Sequence, residues 1–220
     1  MVLTWKRMAA SPQTRILVVR HGETLTNTQG VFCGHSETEL TERGRRQAEA
    51  LGRRLAREPI AAVYTSGLGR ALDTARIATA GRDLPFFAVA GLRELHYGEW
   101  ELQKERSIAR RYPEQHRLMR AEDPAWHPPG GENTAAVRKR MFEAVRRIAH
   151  AQRHRTVLVV SHGTATQCLI AEILGMAPSH LFRTDIQNCG LNIISEVRNH
   201  LVVLTMNETW FLDEPGSTPA

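Results

Sequence analysis

His21 and His162 end two nearly identical stretches, Leu17-Val18-Val19-Arg20-His21-Gly22 and Leu158-Val159-Val160-Ser161-His162-Gly163. The copies lie 141 residues apart and agree at five of six positions. A neutral imidazole is a nucleophile able to carry a covalent phosphoryl group, and the guanidinium of Arg20 beside His21 is a planar fork that matches phosphate oxygens. Taken singly, either histidine would be read as a strand-end residue donating to a nearby carbonyl. Two copies, one carrying an arginine, point instead to a shared anion site.

The elements that must position these residues follow from the same stretches. Each is a continuous apolar run of the kind that makes a fully buried parallel strand, and each stops at its histidine. Ligands of open α/β sheets bind at the carboxyl ends of the strands, so two such strands side by side would bring His21 and His162 over one crevice. Strands are expected at 15–20, 60–65, 84–89 and 156–161, with Pro85 putting the third at an edge or standing at the start of its strand. Helices are expected at 41–58, 67–80, 132–152 and 164–174, a polar loop at 22–39, and a closing hairpin from 191–197 and 201–206. This alternation predicts an α/β fold: a three-layer, doubly wound, mostly parallel sheet with helices on both faces. Residues 91–131, with Pro113, Pro124, Pro128 and Pro129, interrupt it and read as an inserted lid region with a helix near 104–111.

A chain of 220 residues, 42% hydrophobic and 24% charged, suits one globular core. The domain is expected to span 15–212, after a loose extension (1–14) and before a disordered tail (213–220). No apolar run approaches a spanning helix, and residues 1–14 hold Lys6 and Arg7 without the apolar core of a signal peptide, so no membrane contact is expected. Cys33, Cys168 and Cys189 are an odd set without CxxC spacing, which fits a reducing cytoplasm and neither a disulfide framework nor a zinc site. The net charge of +6 does not imply nucleic acid, because the arginines are spread through the helices without an aromatic-basic module. A small anionic substrate explains the balance, and a homodimer stays open. No metal or cofactor is implied: His150 and His154 are four apart but lack H-E-x-x-H, and Gly67 and Gly69 lack the Gly-Lys-Ser/Thr of a P-loop. Arg106, Arg110, Arg117 and Arg120 would share a face only if one helix crossed Pro113, so they read as solvated.

Five further motifs stand in order: Leu40-Thr41-Glu42-Arg43-Gly44, Ser66 to Ala75 with Arg70, Glu94-Leu95-His96-Tyr97-Gly98-Glu99-Trp100, Pro129-Gly130-Gly131-Glu132, and Ser161-His162-Gly163. With Arg20-His21-Gly22, this set resembles the histidine phosphatase superfamily, the phosphoglycerate mutase-like proteins, from about 15 to 194. The resemblance implies that His21 becomes phosphohistidine, with Arg20, Arg70 and His162 around the phosphoryl group. It adds Asn27 and the amide of Gly163 to the pocket, Cys33 and Gly34 as a second contact through main chain, and Glu94 as the general acid. Glu23, Glu99 and Glu101 are equally acidic, yet only Glu94 stands at the motif position. For His21 to attack, the attacking nitrogen must be unprotonated, which requires the other to give its proton to a fixed acceptor.

Three departures favour a phosphatase over a mutase. Thr26 replaces the tryptophan that mutases place before Asn27, Leu95 replaces the arginine after Glu94, and no tandem arginines occur between Pro113 and Pro129. A fourth departure, Leu102 where the pattern has glycine, bears on the loop after Trp100. The expected function is hydrolysis of a small phosphorylated metabolite. A mutase-type phosphotransferase is the alternative, and a non-catalytic phospho-ligand binder is disfavoured by the intact set His21, Arg20, Arg70, Glu94 and His162.

Overall fold

The computed structural model describes residues 13–212. Strands β1 (Thr14–Arg20), β2 (Ile60–Thr65), β3 (Phe86–Ala88), β4 (Thr156–Ser161), β5 (Leu191–Val197) and β6 (His200–Glu208) form one mixed sheet ordered β3-β2-β4-β1-β5-β6. Helices α1 (Leu25–Gln29), α2 (Glu42–Leu55), α3 (Gly69–Ala78), α4 (Glu105–Arg111), α5 (Pro113–Arg120), α6 (Thr134–Ala151) and α7 (Gly163–Ile173) connect them. Strands β1 to β4 pair in parallel, while β5 and β6 close the sheet antiparallel.

The two repeated stretches are neighbours. In β1 and β4, Leu17 faces Leu158, Val18 faces Val159 and Arg20 faces Ser161, so both histidines leave adjacent strands at one level. Side chains of β1 alternate between two clusters. Ile16 and Val18 pack with Met141 and Val145 of α6 and Leu169 of α7; Leu17 and Val19 pack with Leu51 and Leu55 of α2 and Ala71 of α3. All four β1 residues are fully buried, which is why the strand reads as an unbroken apolar run. Burying each contributes roughly 1.5–3 kcal/mol relative to exposure. The strand that carries His21 is therefore firmly anchored.

Just beyond His21 the main chain touches the start of α2. A Cβ on Gly22 would lie 2.5 Å from the carbonyl oxygen of Gly44, and one on Gly44 would lie 2.0 Å from that of Glu23. Glycine at both positions permits this approach. The Gly22 N–H then donates to Thr74 Oγ1 of α3 at 3.0 Å, tying the His21 turn to the helix that carries Arg70.

Several expectations need correction. Residues 22–39 are not wholly loop, because α1 forms there on a capping box: Asn27 N–H donates to Thr24 Oγ1 at 3.3 Å and Thr24 N–H donates to Asn27 Oδ1 at 3.1 Å. Thr14, placed in the extension, is a buried β1 residue opposite Glu196. Helix α2 stops at Leu55 and α3 covers only Gly69–Ala78, with Gly67 left-handed outside it (φ 82°). Pro113 does break the helix in 91–131, but it also begins α5, where its missing N–H is no loss. Arg117 pairs with Glu114 at 2.8 Å and Arg120 with Glu105 at 3.8 Å, both on the surface. Helix α6 ends at Ala151, and His154 (φ 64°) lies beyond it, so His150 and His154 share no helix face. Strand β3 is an edge, one of the two places Pro85 allowed, and it begins at Phe86, just after the proline. The rest of the extension, 1–12, and the tail, 213–220, lie outside the described residues. Among the described residues no helix is long and apolar enough to cross a membrane.

Candidate active site

At the carboxyl ends of β1 and β4, the His21 N–H donates to the Ser161 carbonyl at 3.0 Å, extending the strand pairing by one residue. The His21 ring is buried, and its Nδ1 lies 2.7 Å from the Gly22 carbonyl, which can only accept. Arg70 Nε, which can only donate, lies 3.2 Å from Nε2. Both contacts require the tautomer with its proton on Nδ1 and a lone pair on Nε2. Burial, then the charges of Arg70 and Arg20, holds His21 well below the usual imidazole range, so the ring is neutral. The fixed acceptor required by the sequence argument is the neighbouring carbonyl.

His162 packs edge-on to His21, with ring centroids 5.1 Å apart. Its Nε2 lies 2.8 Å from Ser66 Oγ, and burial, Arg70 and His21 push its proton affinity down as well. Arg70 is almost fully buried and donates to the carbonyls of Gly34 (2.6 Å) and Ser36 (2.9 Å). Arg20 Nη1 donates to the Ile186 carbonyl at 2.7 Å, while its buried Nε has no hydrogen-bond partner among the described residues. Burial lowers the proton affinity of Arg20, and Glu94 and Asp185 oppose that.

Glu94 caps α7. Its Oε1 accepts the N–H of Ala165 at 2.9 Å and its Oε2 that of Thr164 at 3.1 Å. Asn27 Oδ1 accepts from Thr24 and from Asn188 Nδ2, which leaves the Asn27 amide hydrogens as the group it can offer a ligand.

These residues surround a cavity of about 210 Å³. Arg20, His21, Asn27, Cys33, Arg70, Glu94 and Gly163 line it. Two expected residues do not. His162 packs edge-on against His21, and the Gly34 carbonyl accepts from Arg70. The motifs did not single out Tyr97, Gln167 and Asp185, which also line the cavity, or Ser66 and Thr74, which hold His162 and the Gly22 turn. Ser66 and Tyr97 lie inside quoted motifs and could have been found there. Asp185 follows a single 3-10 helical segment, Pro178–Arg183, too short to show a period that would mark it.

Residues 16–209 match the profile of the histidine phosphatase superfamily (branch 1). The chain belongs to that family. An adenosylcobalamin/alpha-ribazole phosphatase from Salmonella typhimurium is 34% identical over 199 residues, 89% of this chain and 98% of the relative. A 2,3-bisphosphoglycerate-dependent phosphoglycerate mutase 2 from Gloeobacter violaceus is 30% identical over 79% of this chain and 82% of its own. Among solved structures, Bacillus stearothermophilus YhfR superposes with a TM-score of 0.88 at 32% identity, covering 91% of this chain and 100% of that one. The resemblance read from the motifs thus holds, and this histidine phosphatase is a phosphomonoesterase.

Proposed function

We propose that the enzyme hydrolyses a small phosphorylated metabolite through a phosphohistidine on His21. The observation that carries this reading is the His21 tautomer: a buried neutral ring with Nδ1–H fixed on Gly22 and the Nε2 lone pair beside Arg70. In the first step Nε2 forms a bond to phosphorus, the ester P–O bond breaks, and the leaving oxygen takes a proton from the Glu94 carboxyl. In the second, the Glu94 carboxylate takes a proton from water, whose oxygen attacks phosphorus as the P–N bond breaks. Inorganic phosphate leaves and His21 is regenerated. Arg20, Arg70, Asn27 and the Gly163 N–H stabilise charge on the phosphoryl oxygens, while His162 packs against the His21 ring and holds it in place. The Arg20 Nε, without a hydrogen-bond partner among the described residues, is a donor that such an oxygen would satisfy. Cys33 borders the same group through its main chain.

The charge around the cavity favours a phosphatase over a mutase. Among the described residues its lining carries two guanidiniums, Arg20 and Arg70, and two carboxyl groups, Glu94 and Asp185. One phosphoryl group occupies both cations, and a second anion on the substrate would meet Asp185. Cytoplasmic residence belongs to the same proposal, since Cys168 and Cys189 are buried free thiols. So does a homodimer, for which edge strand β3 offers the exposed Phe86 and Phe87.

Release of inorganic phosphate from a panel of phosphate esters tests the activity. Brief exposure to labelled ester should leave an acid-labile, alkali-stable label on the wild type and none on His21→Ala. A label that persists in the variant would remove His21 from the nucleophile's role.

A further inference from the structure

Glu101 has no place in the chemistry above and does not line the cavity. Its carboxylate nevertheless gathers four donors. Oε1 accepts the N–H of His35 at 2.7 Å and that of Tyr97 at 3.4 Å; Oε2 accepts the N–H of Ser36 at 2.6 Å and the Ser36 hydroxyl. Burial pushes this carboxyl up, but the hydrogen bonds from Ser36, His35 and Tyr97 outweigh it and hold the group below its ordinary range. The same short loop supplies the two carbonyls, of Gly34 and Ser36, that receive the Arg70 guanidinium.

One peptide unit joins the two charges. Between Gly34 and His35, its N–H points to Glu101 and its C=O to Arg70, at 2.7 and 2.6 Å. Carboxylate, peptide and guanidinium form a continuous donor–acceptor chain in which each bond polarises the next. Gly34 is what lets the unit lie there: a Cβ would come within 2.6 Å of Glu101 Oε1 and 2.4 Å of the Leu95 carbonyl oxygen. The loop also reaches the Glu94 side of the site, where His35 Nε2 lies 2.9 Å from the Glu94 carbonyl.

We propose that Glu101 is a positioning residue for the phosphoryl transfer, setting the Arg70 guanidinium against His21 through the loop 34–36. This rests on the reading of Arg70 as a phosphoryl ligand. Glu101→Gln keeps the size of the side chain but offers one acceptor oxygen, so its amide N–H₂ must face the N–H of His35 or of Ser36. The loop carbonyls then shift, and with them Arg70. A misplacement of this kind costs about 10²-fold in turnover.

The test is a double-mutant cycle on p-nitrophenyl phosphate with Glu101→Gln and Arg70→Lys, the latter keeping the charge and losing the fork. Glu101→Gln alone should lower kcat/KM by about 10²-fold, yet by less than about threefold when added to Arg70→Lys, because its effect runs through the fork already lost. A merely structural role would give losses that multiply, and that result overturns the proposal. So does a Glu101→Gln enzyme as active as the wild type beside an impaired Arg70→Lys. If Arg70→Lys is itself as active as the wild type, the phosphoryl-ligand reading fails and this proposal with it. Should Glu101→Gln not fold, Ser36→Ala, which removes only the hydroxyl donor, enters the same cycle. A non-additive loss then supports the proposal and an additive one or none overturns it.

Discussion

Glu94 Oε1 accepts the main-chain N–H of Ala165 at 2.9 Å, so the carboxylate proposed to serve the leaving oxygen is also the N-terminal cap of α7. His162, at the N-cap position itself, makes no side-chain bond to the helix, which leaves Glu94 to take the free N–H groups. An anion is favourable there because those groups and the helix dipole both point at it. Removing a capping acceptor costs about 1 kcal/mol. Glu94→Ala is expected to lose about that much unfolding free energy in urea titrations. Glu94→Gln should lose less but not nothing, since its single oxygen cannot serve both Thr164 and Ala165. Wild-type midpoints in both variants would show that α7 does not depend on this cap.

Acid should weaken the fold through His21 and His162. Burial, then Arg70 and other charges at the site, keeps both rings neutral well below the range in which they titrate when unfolded, near pH ~6.5. Below that pH the unfolded chain takes up protons that the folded one refuses. The stability is fully present above it and is lost as pH falls toward the folded values, at up to about 1.4 kcal/mol per unit for each histidine. His162→Gln should roughly halve the slope. An unfolding midpoint that stays flat from about pH 7 to 5 would contradict the assignment.

What could be read from the sequence follows a physical rule. The His21–His162 juxtaposition was legible because strands buried on both faces carry continuous apolar runs, and the runs of β1 and β4 pair in the register their similarity implies. Strand β3 was legible in part, because Pro85 restricts a strand to an edge or to a start just after it, and β3 is an edge strand that starts at Phe86. Helix α1 was not, since five residues are too few to show a period and its capping box uses Asn27 instead of Glu or Gln. Glu101 was set aside as an off-motif acid, because a carboxylate that binds main-chain N–H groups 65 and 66 residues away leaves no spacing to recognise. His162 and Gly34 were expected beside the phosphoryl group; His162 packs on the His21 ring and the Gly34 carbonyl receives Arg70, contacts that motif position does not encode.

Leu102 explains the glycine of the family pattern. It is exposed and holds φ at 60°, with its N–H on the Phe32 carbonyl at 2.7 Å, so the turn after Trp100 is left-handed although the residue there is leucine. That conformation costs a residue with a Cβ roughly 1–2 kcal/mol, against roughly 0.5–1 kcal/mol for the extra unfolded-state freedom of glycine. Leu102→Gly should therefore gain about 0.5–1 kcal/mol, and Leu102→Ala should gain nothing. Thermal unfolding of the two variants decides; a less stable glycine variant would mean the leucine side chain contributes packing that its exposure hides.

Asp185 bears on which esters the enzyme accepts. It lines the cavity and acts on Arg20, so a substrate with a carboxylate beside its phosphate meets a like charge. Glycerol phosphate is expected to be hydrolysed more efficiently than 3-phosphoglycerate, and isomerisation of the latter should trail phosphate release. Asp185→Asn should move the ratio of the two kcat/KM values toward 3-phosphoglycerate by about fivefold, the effect of removing roughly 1 kcal/mol of repulsion in a solvated site. Mutase turnover that exceeds phosphate release on every ester would reverse the order of the two readings.

The acid role of Glu94 separates from simple phosphate binding by choice of leaving group. Glu94→Gln should slow transfer from alkyl esters by roughly 10²–10⁴-fold, the usual contribution of a positioned general acid. An aryl ester such as p-nitrophenyl phosphate needs little protonation, so its loss in the phosphorylation step should be much smaller. Pre-steady-state kinetics are required, because the same carboxylate, as the proposed base toward water in the second step, would slow steady-state turnover of every ester alike. The capping contacts add a control: Glu94→Gln disturbs Thr164 and Ala165 whichever ester is bound, so any loss through the helix is common to both and cancels in their ratio. Equal impairment of the first step with alkyl and aryl esters would mean that Glu94 holds the Gly163 end of the pocket in place, and that another group supplies the proton.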